Sequence, residues 1–405
     1  MEFSELSKKI THNLSKIDKK KDGIYFTPPS CIQKCLDIIK PYIKNNTNVL
    51  EPSCGSCEFI TALSKLNKVK KITGIEYNDT IYNFIKHMRT DKIQIHHQDF
   101  LNYKSGENYK LIVGNPPYFV MKKKDVDKKY YDYFDGRPNI FILFIIKCLK
   151  MLKYNGILSF VLPKSFLNCL YYDKTRKYIN NNLFQIINII ECDDKYLDTQ
   201  QPTILLTLQK NRKYCNNENY LLKINGYTIF GTAKDINSLK KLYQNSTSLH
   251  NINLKVHVGT VVWNQHKNIL TDDTTKTRLV YSSNIVNNKF INKDFKNEAK
   301  KNYIDKTGLN TPLLVINRGY GVGQYNFEYC LLDGSFPYLI ENHLICITSN
   351  NKNEKNIKLY KDVIKSLEDK RTKNFINLYF GNSAINTTEL EYILPVYGCS
   401  NLNLS

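Results

Sequence analysis

Seven short apolar runs alternate with helical patterns along the first half of this 405-residue chain, and few folds accommodate that order. The runs lie near residues 48, 71, 93, 110, 156, 185 and 203, and turn residues bound each of them. The helical patterns begin near Pro29, Glu58, Asn78, Asn139 and Lys164. Such alternation predicts an α/β fold, with a mainly parallel seven-stranded sheet covered by helices on both faces.

The rhythm changes after residue 212. A helix is predicted over residues 235–244, and beyond about residue 250 the strands shorten. Glycine-containing turns such as INRGYGVGQYNF (residues 316–327) replace the strand and helix alternation there. We therefore expect a basic N-terminal extension over residues 1–24, an α/β domain over 25–215, a connecting segment over 216–250 and a C-terminal α+β domain over 251–405.

The chain carries a strong positive charge. Lys and Arg number 58 against 37 Asp and Glu, which gives a net charge of +21. A polyanion such as nucleic acid is the expected partner, although membrane headgroups would fit the charge equally well. No apolar run reaches the roughly 18 residues that a bilayer crossing needs, and the first residues lack the apolar centre of a secretory signal. We expect a soluble intracellular protein.

The eleven cysteines are scattered through apparent core segments, which favours reduced, buried thiols over a disulfide framework. Cys54 and Cys57 match the C-x-x-C pattern of redox or zinc sites. No second pair and no His cluster stands at ligand spacing, however. No metal is expected.

Polar residues follow the first three predicted strands, and the carboxyl ends of parallel strands are where such sheets bind ligands. Gly55 follows the first strand and permits close backbone approach before a helix start. Glu76 ends the second strand about 20 residues later, at the position of a carboxylate that binds a ribose diol. Asp99, with Phe100 beside it, follows the third and offers an acceptor for an adenine amine. Either carboxylate could instead cap the next helix or turn.

The fourth strand runs into Asn115-Pro116-Pro117-Tyr118. Each proline fixes its own φ and removes an N–H, so the Pro116 carbonyl is held in one direction. The Asn115 side chain adds a second acceptor. Two convergent acceptors suit a planar NH₂ group and favour the pyramidal, nucleophilic nitrogen, while Tyr118 would stack on the ring that bears it. The alternative is an ordinary turn with a surface tyrosine.

A set of seven segments together resembles the N6-adenine DNA methyltransferases of the gamma arrangement. They are FTPPSCIQKCL (26–36), LEPSCGSCEF (50–59), GIEYN (74–78), QDFL (98–101), NPPY (115–118), GRPNIFILF (136–144) and FVLPKSFL (160–167). The likeness is close over about the first 210 residues and loose beyond. It implies a Rossmann-like methyltransferase domain over residues 25–215 and a target-recognition domain over 251–405.

The resemblance implies S-adenosylmethionine as the cofactor. The residues it assigns to cofactor binding are Phe26, Thr27, Glu51, Gly55, Glu76, Asp99 and Phe100. Phe26 and Thr27, with Pro28, would line the methionine end. Glu76 would hold the ribose hydroxyls, and Asp99 with the Phe100 backbone would bind the adenine.

For catalysis the resemblance assigns Asn115, Pro116 and Tyr118. The first two would bind N6 of a target adenine, and Tyr118 would stack on that base after it flips out of double-stranded DNA, at a cost of a few kcal/mol. The basic loop over residues 121–139 could clasp phosphates, although a solvated charged loop fits it as well.

Two positions depart from the family. Cys57 stands where a second glycine is usual, and its Cβ could crowd the cofactor or demand a negative φ. Near Leu208 the family often has an aromatic residue for the opposite face of the base, and this chain has none there.

We therefore predict a site-specific, metal-free adenine-N6 DNA methyltransferase that acts where DNA is found; its oligomeric state stays open, with a monomer favoured. Two alternatives stay open: an RNA N-methyltransferase with the same NPPY site, or a catalytically idle nucleic-acid-binding subunit. Enzymes that methylate a glutamine amide share NPPY but carry their extra domain ahead of the glycine loop, whereas this chain carries it after the catalytic domain. No P-D-x(n)-[DE]-x-K nuclease pattern occurs.

Overall fold

A computed structural model of the chain describes residues 2–181, 183–192, 196–197, 199, 201–318, 328–349, 355–380 and 385–399. The chain divides into two compact units, Met1–Ile236 and Asn237–Ser405, and the division falls within the segment expected to connect the two domains. Most of the predicted glycine turn at 316–327 lies outside the described residues.

The first unit is built on one seven-stranded sheet of order β3-β2-β1-β4-β5-β7-β6. Only β7 runs antiparallel to its neighbours, so the predicted mainly parallel sheet is confirmed. The order reverses between β1 and β4, which places a switch point at the carboxyl ends of these two strands. The strands are β1 (Thr47–Glu51), β2 (Val69–Glu76), β3 (Ile93–His97), β4 (Tyr109–Gly114), β5 (Leu152–Pro163), β6 (Phe184–Cys192) and β7 (Thr203–Lys210), with a hairpin of β8 (Leu221–Ile224) and β9 (Tyr227–Phe230) after them.

Helices cover both faces of this sheet, as predicted. Successive residues of one strand enter different hydrophobic clusters because strand side chains alternate between faces: Val49 packs in one cluster and Leu50 in the other. Helix α6 is buried at nine of its twelve positions. The helices are α1 (Glu5–Asn13), α2 (Lys16–Asp22), α3 (Pro29–Ile39), α4 (Glu58–Ser64), α5 (Asp79–Ile85), α6 (Ile140–Met151), α7 (Asp173–Asn181) and, across the unit division, α8 (Ala233–Leu242).

Two expectations need correction. The residues before position 25 are not an extension, because α1 and α2 fold against the first unit and bury Ile10 and Leu14 in its core. The helix predicted at Lys164 is only a short 3₁₀ turn, Lys164–Leu167, and the α-helix begins at Asp173. The buried Arg176 of α7 donates hydrogen bonds to the carbonyls of Phe166 and Cys169, which holds this turn apart from the helix.

In its described residues, the second unit combines small sheets with helices. One antiparallel sheet has the order β11-β20-β17-β18 and a mixed sheet has the order β12-β16-β13-β19. Its strands are β10 (Ser246–Thr247), β11 (Leu254–Val258), β12 (Leu270–Thr271), β13 (Thr277–Val280), β14 (Ile285–Val286), β15 (Lys289–Phe290), β16 (Tyr303–Ile304), β17 (Leu313–Asn317), β18 (Tyr329–Leu332), β19 (Tyr338–Ile340), β20 (Leu344–Ser349) and β21 (Val396–Tyr397), and its helices are α9 (Lys355–Glu368) and α10 (Lys370–Tyr379). No described helix in either unit has the length and hydrophobicity needed to cross a bilayer.

Candidate active site

A cavity of about 480 Å³ opens at the carboxyl ends of β1, β2, β3 and β4. That volume is typical of sites for nucleotide-sized ligands, roughly 300–1,000 Å³. Of the predicted site residues, six line it: Phe26, Gly55, Glu76, Asp99, Phe100 and Asn115. The other four, Thr27, Glu51, Pro116 and Tyr118, lie outside its lining.

The Glu76 carboxylate is fixed at the cavity wall by two backbone donors. Its Oε2 accepts from the Gly55 N–H at 2.9 Å and its Oε1 from the Asn78 N–H at 2.8 Å. Burial raises the pKa of this carboxyl, and the backbone N–H groups oppose that rise. The predicted alternative role as an exposed helix cap does not hold, because Asn78 caps α5 and Glu76 is buried.

The loop after β3 is held from both sides. Asp99 accepts from the Leu101 N–H at 2.8 Å and from the Asn102 amide at 2.7 Å, as an aspartate that shapes a turn does. Lys147 of α6 donates to the carbonyls of Phe100, Leu101 and Tyr103, and its ammonium lies 4.8 Å from the centroid of the Phe100 ring. Lys147 was not predicted as a site residue, because the helical pattern around it does not indicate that it contacts backbone carbonyls of the loop after β3.

Glu51 at the end of β1 is buried, and its Oε2 has no hydrogen-bond partner within the described structure. Burial raises the pKa of this carboxyl well above its usual range. Burial therefore favours the neutral form of this carboxyl.

Cys57 corrects a prediction. It adopts φ +61°, so the expected negative φ is wrong. Its side chain is fully buried in the hydrophobic cluster and does not line the cavity, so it does not crowd that space. The Cys57 N–H donates to the Cys54 carbonyl at 2.7 Å, which stabilises the tight turn into α4. None of the eleven cysteines, all of which are among the described residues, forms a disulfide, and the described residues contain no group of three potential metal ligands.

Asn115 is held at both ends of its side-chain amide. Its Nδ2 donates to the Tyr25 carbonyl at 3.0 Å, and its Oδ1 accepts from the Tyr118 hydroxyl at 2.5 Å. The same hydroxyl lies 2.8 Å from the Val161 carbonyl. The amide orientation is therefore set by its partners, with the oxygen available for a second donor because an amide oxygen has two lone pairs.

The Tyr118 ring is partly buried and meets Phe141 edge to face, with centroids 6.0 Å apart. Leu208 lies in the buried part of β7 and offers no ring, as the sequence suggested. Tyr196 is a neighbour of Tyr118 that sequence reasoning missed; it contributes, after burial, to the raised pKa of the Tyr118 hydroxyl.

The remaining wall was also missed, and part of it is apolar, whereas Lys21, Asp22, Ser53, Asn78 and Gln98 contribute polar groups. Phe119, Met121, Ile140 and Phe144 line the cavity beside Phe26 and Phe100. Phe119 directly follows NPPY, so its position in the sequence was a usable signal, whereas Ile140 and Phe144 read simply as core of α6. A partly apolar wall with two carboxylates at strand ends fits a nucleoside ligand such as S-adenosylmethionine.

Residues 12–197 match the family model described as Eco57I restriction-modification methylase. Type II methyltransferase M.CvrRI of Paramecium bursaria Chlorella virus XZ-6E is 26% identical over 411 residues, 98% of this chain and 99% of that protein. Modification methylase CviBIII of Paramecium bursaria Chlorella virus NC1A is 32% identical over 183 residues, 44% of this chain and 47% of that protein.

Among solved structures, the methyltransferase subunit of a type I restriction-modification system from Streptococcus thermophilus is 19% identical to this chain. The match covers 55% of this chain and 53% of that one, with a TM-score of 0.40. The sequence matches, which span the whole candidate site, support a DNA methyltransferase that uses S-adenosylmethionine.

Proposed function

We propose that this protein transfers a methyl group from S-adenosylmethionine to N6 of a flipped-out adenine in a specific sequence of double-stranded DNA. The observation that carries the proposal is the meeting, on one cavity, of a fixed Asn115 amide with the Glu76 and Asp99 carboxylates. Acceptors for a cofactor nucleoside and an acceptor for a substrate amine thus face the same space.

On this proposal the chain binds the cofactor through residues on three strand ends. Glu76 accepts hydrogen bonds from the ribose hydroxyls, and Asp99 with the Phe100 backbone recognises the adenine. Phe26 and Thr27, with Glu51 and Gly55 nearby, form the surroundings of the methionine end. When bound, S-adenosylmethionine would supply the methyl group of its sulfonium; S-adenosylhomocysteine would leave as the S–C bond breaks and the N–C bond forms, and the methylated nitrogen would release one proton to solvent.

The catalytic contribution of the chain is orientation. Asn115 Oδ1 and the Pro116 carbonyl accept the two hydrogens of the substrate amine, which turns the nitrogen lone pair out of conjugation. Tyr118 supports the base from one face. Holding two reactants in line is worth about 7–11 kcal/mol of barrier in well-oriented systems, so no stronger base is needed.

The duplex-DNA substrate rests on the near full-length match to a Type II methyltransferase and on the net charge of +21. The second unit is then the target-recognition domain. An RNA substrate would present the same amine, so the experiment must distinguish methylation of RNA from methylation of DNA.

The test incubates the purified protein and cofactor with unmodified genomic DNA and, separately, with total RNA. Nucleoside mass spectrometry should find N6-methyladenine in the DNA, and single-molecule sequencing should place it at one sequence. Methylation of the RNA alone would contradict the DNA assignment. Cofactor binding with no transfer to either would favour an idle subunit.

A further inference from the structure

Residues 21–25 line the cavity directly, and the first 25 residues also make two separate sets of contacts with the loops around it. Helix α1 begins after the N-cap Ser4, and α2 ends at Gly23 with φ +64°. Ile10 and Leu14 anchor the pair in the core of the first unit. A segment anchored in this way can hold other parts of the site in place.

The first set of contacts reaches the glycine loop that follows β1, residues 52–57. The Ser7 hydroxyl is fully buried and lies 2.8 Å from the Ser56 hydroxyl and 2.6 Å from the Glu58 carboxylate, which also accepts from Ser4. Ser56 follows Gly55, whose N–H holds Glu76. Ser7 therefore secures the loop that orients a cavity carboxylate.

The second set reaches the NPPY loop. A Cβ at Gly23 would lie 2.5 Å from the Tyr118 backbone nitrogen and 3.0 Å from its carbonyl carbon and oxygen. Gly23 is thus packed directly on the backbone of that loop, and no other residue type would fit there without displacing it. Two residues later the Tyr25 carbonyl accepts the Asn115 amide at 3.0 Å.

We propose that residues 4–25 are a positioning element of the active site that fixes the glycine loop through Ser7 and the NPPY loop through Gly23 and Tyr25. The inference rests on the proposed function for its effect on catalysis. Its structural content, the ordering of two loops by one segment, does not depend on which substrate is methylated.

The test of the NPPY contact compares Gly23→Ala with Gly226→Ala. Both place alanine at positive φ, but a Cβ at Gly226 meets no atom within 4 Å. Hydrogen exchange should accelerate over residues 115–121 in Gly23→Ala only. Turnover should fall at least about tenfold in that variant, since a small misplacement of reacting groups is costly, and should stay at the wild-type value in Gly226→Ala.

The test of the glycine-loop contact compares Ser7→Ala with Ser159→Ala. Each removes a fully buried hydroxyl from the first unit, and Ser159 bonds to Thr207 within the sheet, away from the cavity. Calorimetry should show S-adenosylmethionine binding at least about fivefold weaker in Ser7→Ala alone, with turnover at saturating cofactor nearly unchanged.

Unaltered exchange over residues 115–121 in a folded Gly23→Ala protein would overturn the NPPY part of the inference. Equal cofactor affinity in Ser7→Ala and Ser159→Ala would overturn the glycine-loop part. Absence of methyl transfer by the wild-type protein would instead overturn the proposed function, because exchange and cofactor binding are read without turnover.

Discussion

Asn115 gains its fixed orientation from two partners, the Tyr25 carbonyl and the Tyr118 hydroxyl. We predict that Asn115→Ala lowers methyl transfer at least about a hundredfold, as loss of one preorganised transition-state contact typically does. Cofactor affinity measured by calorimetry should stay within about threefold of wild type. Asn83→Ala, on the exposed side of α5, is the control and should leave both quantities unchanged. Near-normal turnover of Asn115→Ala would remove Asn115 from the mechanism.

Tyr118 offers both a ring and a hydroxyl, and the two can be separated. Tyr118→Ala should weaken capture of the base by ~1–3 kcal/mol, the usual value of a stacking contact. Tyr118→Phe keeps the ring and loses the hydrogen bond to Asn115, so we expect a smaller cost of about 1 kcal/mol. The ratio kcat/KM for DNA measures both. Equal damage in the two variants would assign the role of Tyr118 to its hydroxyl.

Glu51 makes stability depend on pH. Its pKa is raised by burial in the folded chain. Its contribution to folding is therefore complete below the unfolded pKa of about 4.3 and is lost as pH rises through the folded pKa. We predict that Glu51→Gln increases the free energy of unfolding of the cofactor-free protein, measured by urea denaturation, more at pH 8 than at pH 5.5. The difference should be about 1.4 kcal/mol for each pH unit of that interval that lies below the folded pKa. An equal gain at both pH values would show that the carboxyl is ionised throughout.

At the scale of elements, α6 supports the loop after β3 through Lys147. Removing three hydrogen bonds to carbonyls of Phe100, Leu101 and Tyr103 should loosen Asp99 and weaken cofactor binding. We predict that Lys147→Met lowers S-adenosylmethionine affinity by about 1–3 kcal/mol, whereas Lys150→Met on the exposed part of the same helix leaves it unchanged. Unchanged affinity for S-adenosylmethionine in Lys147→Met would mean that the loop after β3 keeps its conformation without the hydrogen bonds from Lys147.

Some of the helices and strands could be predicted from the local sequence pattern and others could not. All seven strands of the main sheet lie where apolar runs predicted them, because burial on both faces leaves a continuous apolar signal. The helix predicted to start near Lys164 is a 3₁₀ turn that ends at Leu167, and the Phe166 and Cys169 carbonyls accept hydrogen bonds from the Arg176 side chain of the following helix. Residues 5–22 were not predicted as helices, since short charged helices are stabilised mainly by tertiary packing.

At the scale of the whole molecule, the net charge of +21 bears on DNA association. Each phosphate neutralised by Lys or Arg releases counterions, so affinity falls with salt. We predict that log K for a DNA duplex falls with log salt at a slope of about −4 or steeper, which corresponds to roughly five phosphate contacts. Binding can be followed by fluorescence anisotropy between 50 and 200 mM salt. A slope near zero would mean that the positive charge lies away from the DNA.

The sequence predicted which strand ends lie at the cavity, because each of these ends contributes a short contiguous motif. Glu76 ends β2, Asp99 lies two residues after β3 and Asn115 directly follows β4, and a parallel sheet brings such ends to one edge. The prediction for Cys57 failed because its backbone conformation is set by the turn into α4, where a core contact compensates for positive φ.

The amino-acid sequence by itself determined the strand pattern, the sheet type and the residues at the strand ends, since all three follow from local periodicity and from motif order. Only the tertiary structure decided what holds those residues in place. Ser7 forms a hydrogen bond with Ser56, and Gly23 packs against the Tyr118 backbone. The Asn115 amide donates to the Tyr25 carbonyl, and Lys147 donates to the loop after β3. All these contacts join residues that are tens of positions apart in the sequence. Such contacts arise when packed elements bring distant backbone groups together, and no local pattern encodes them.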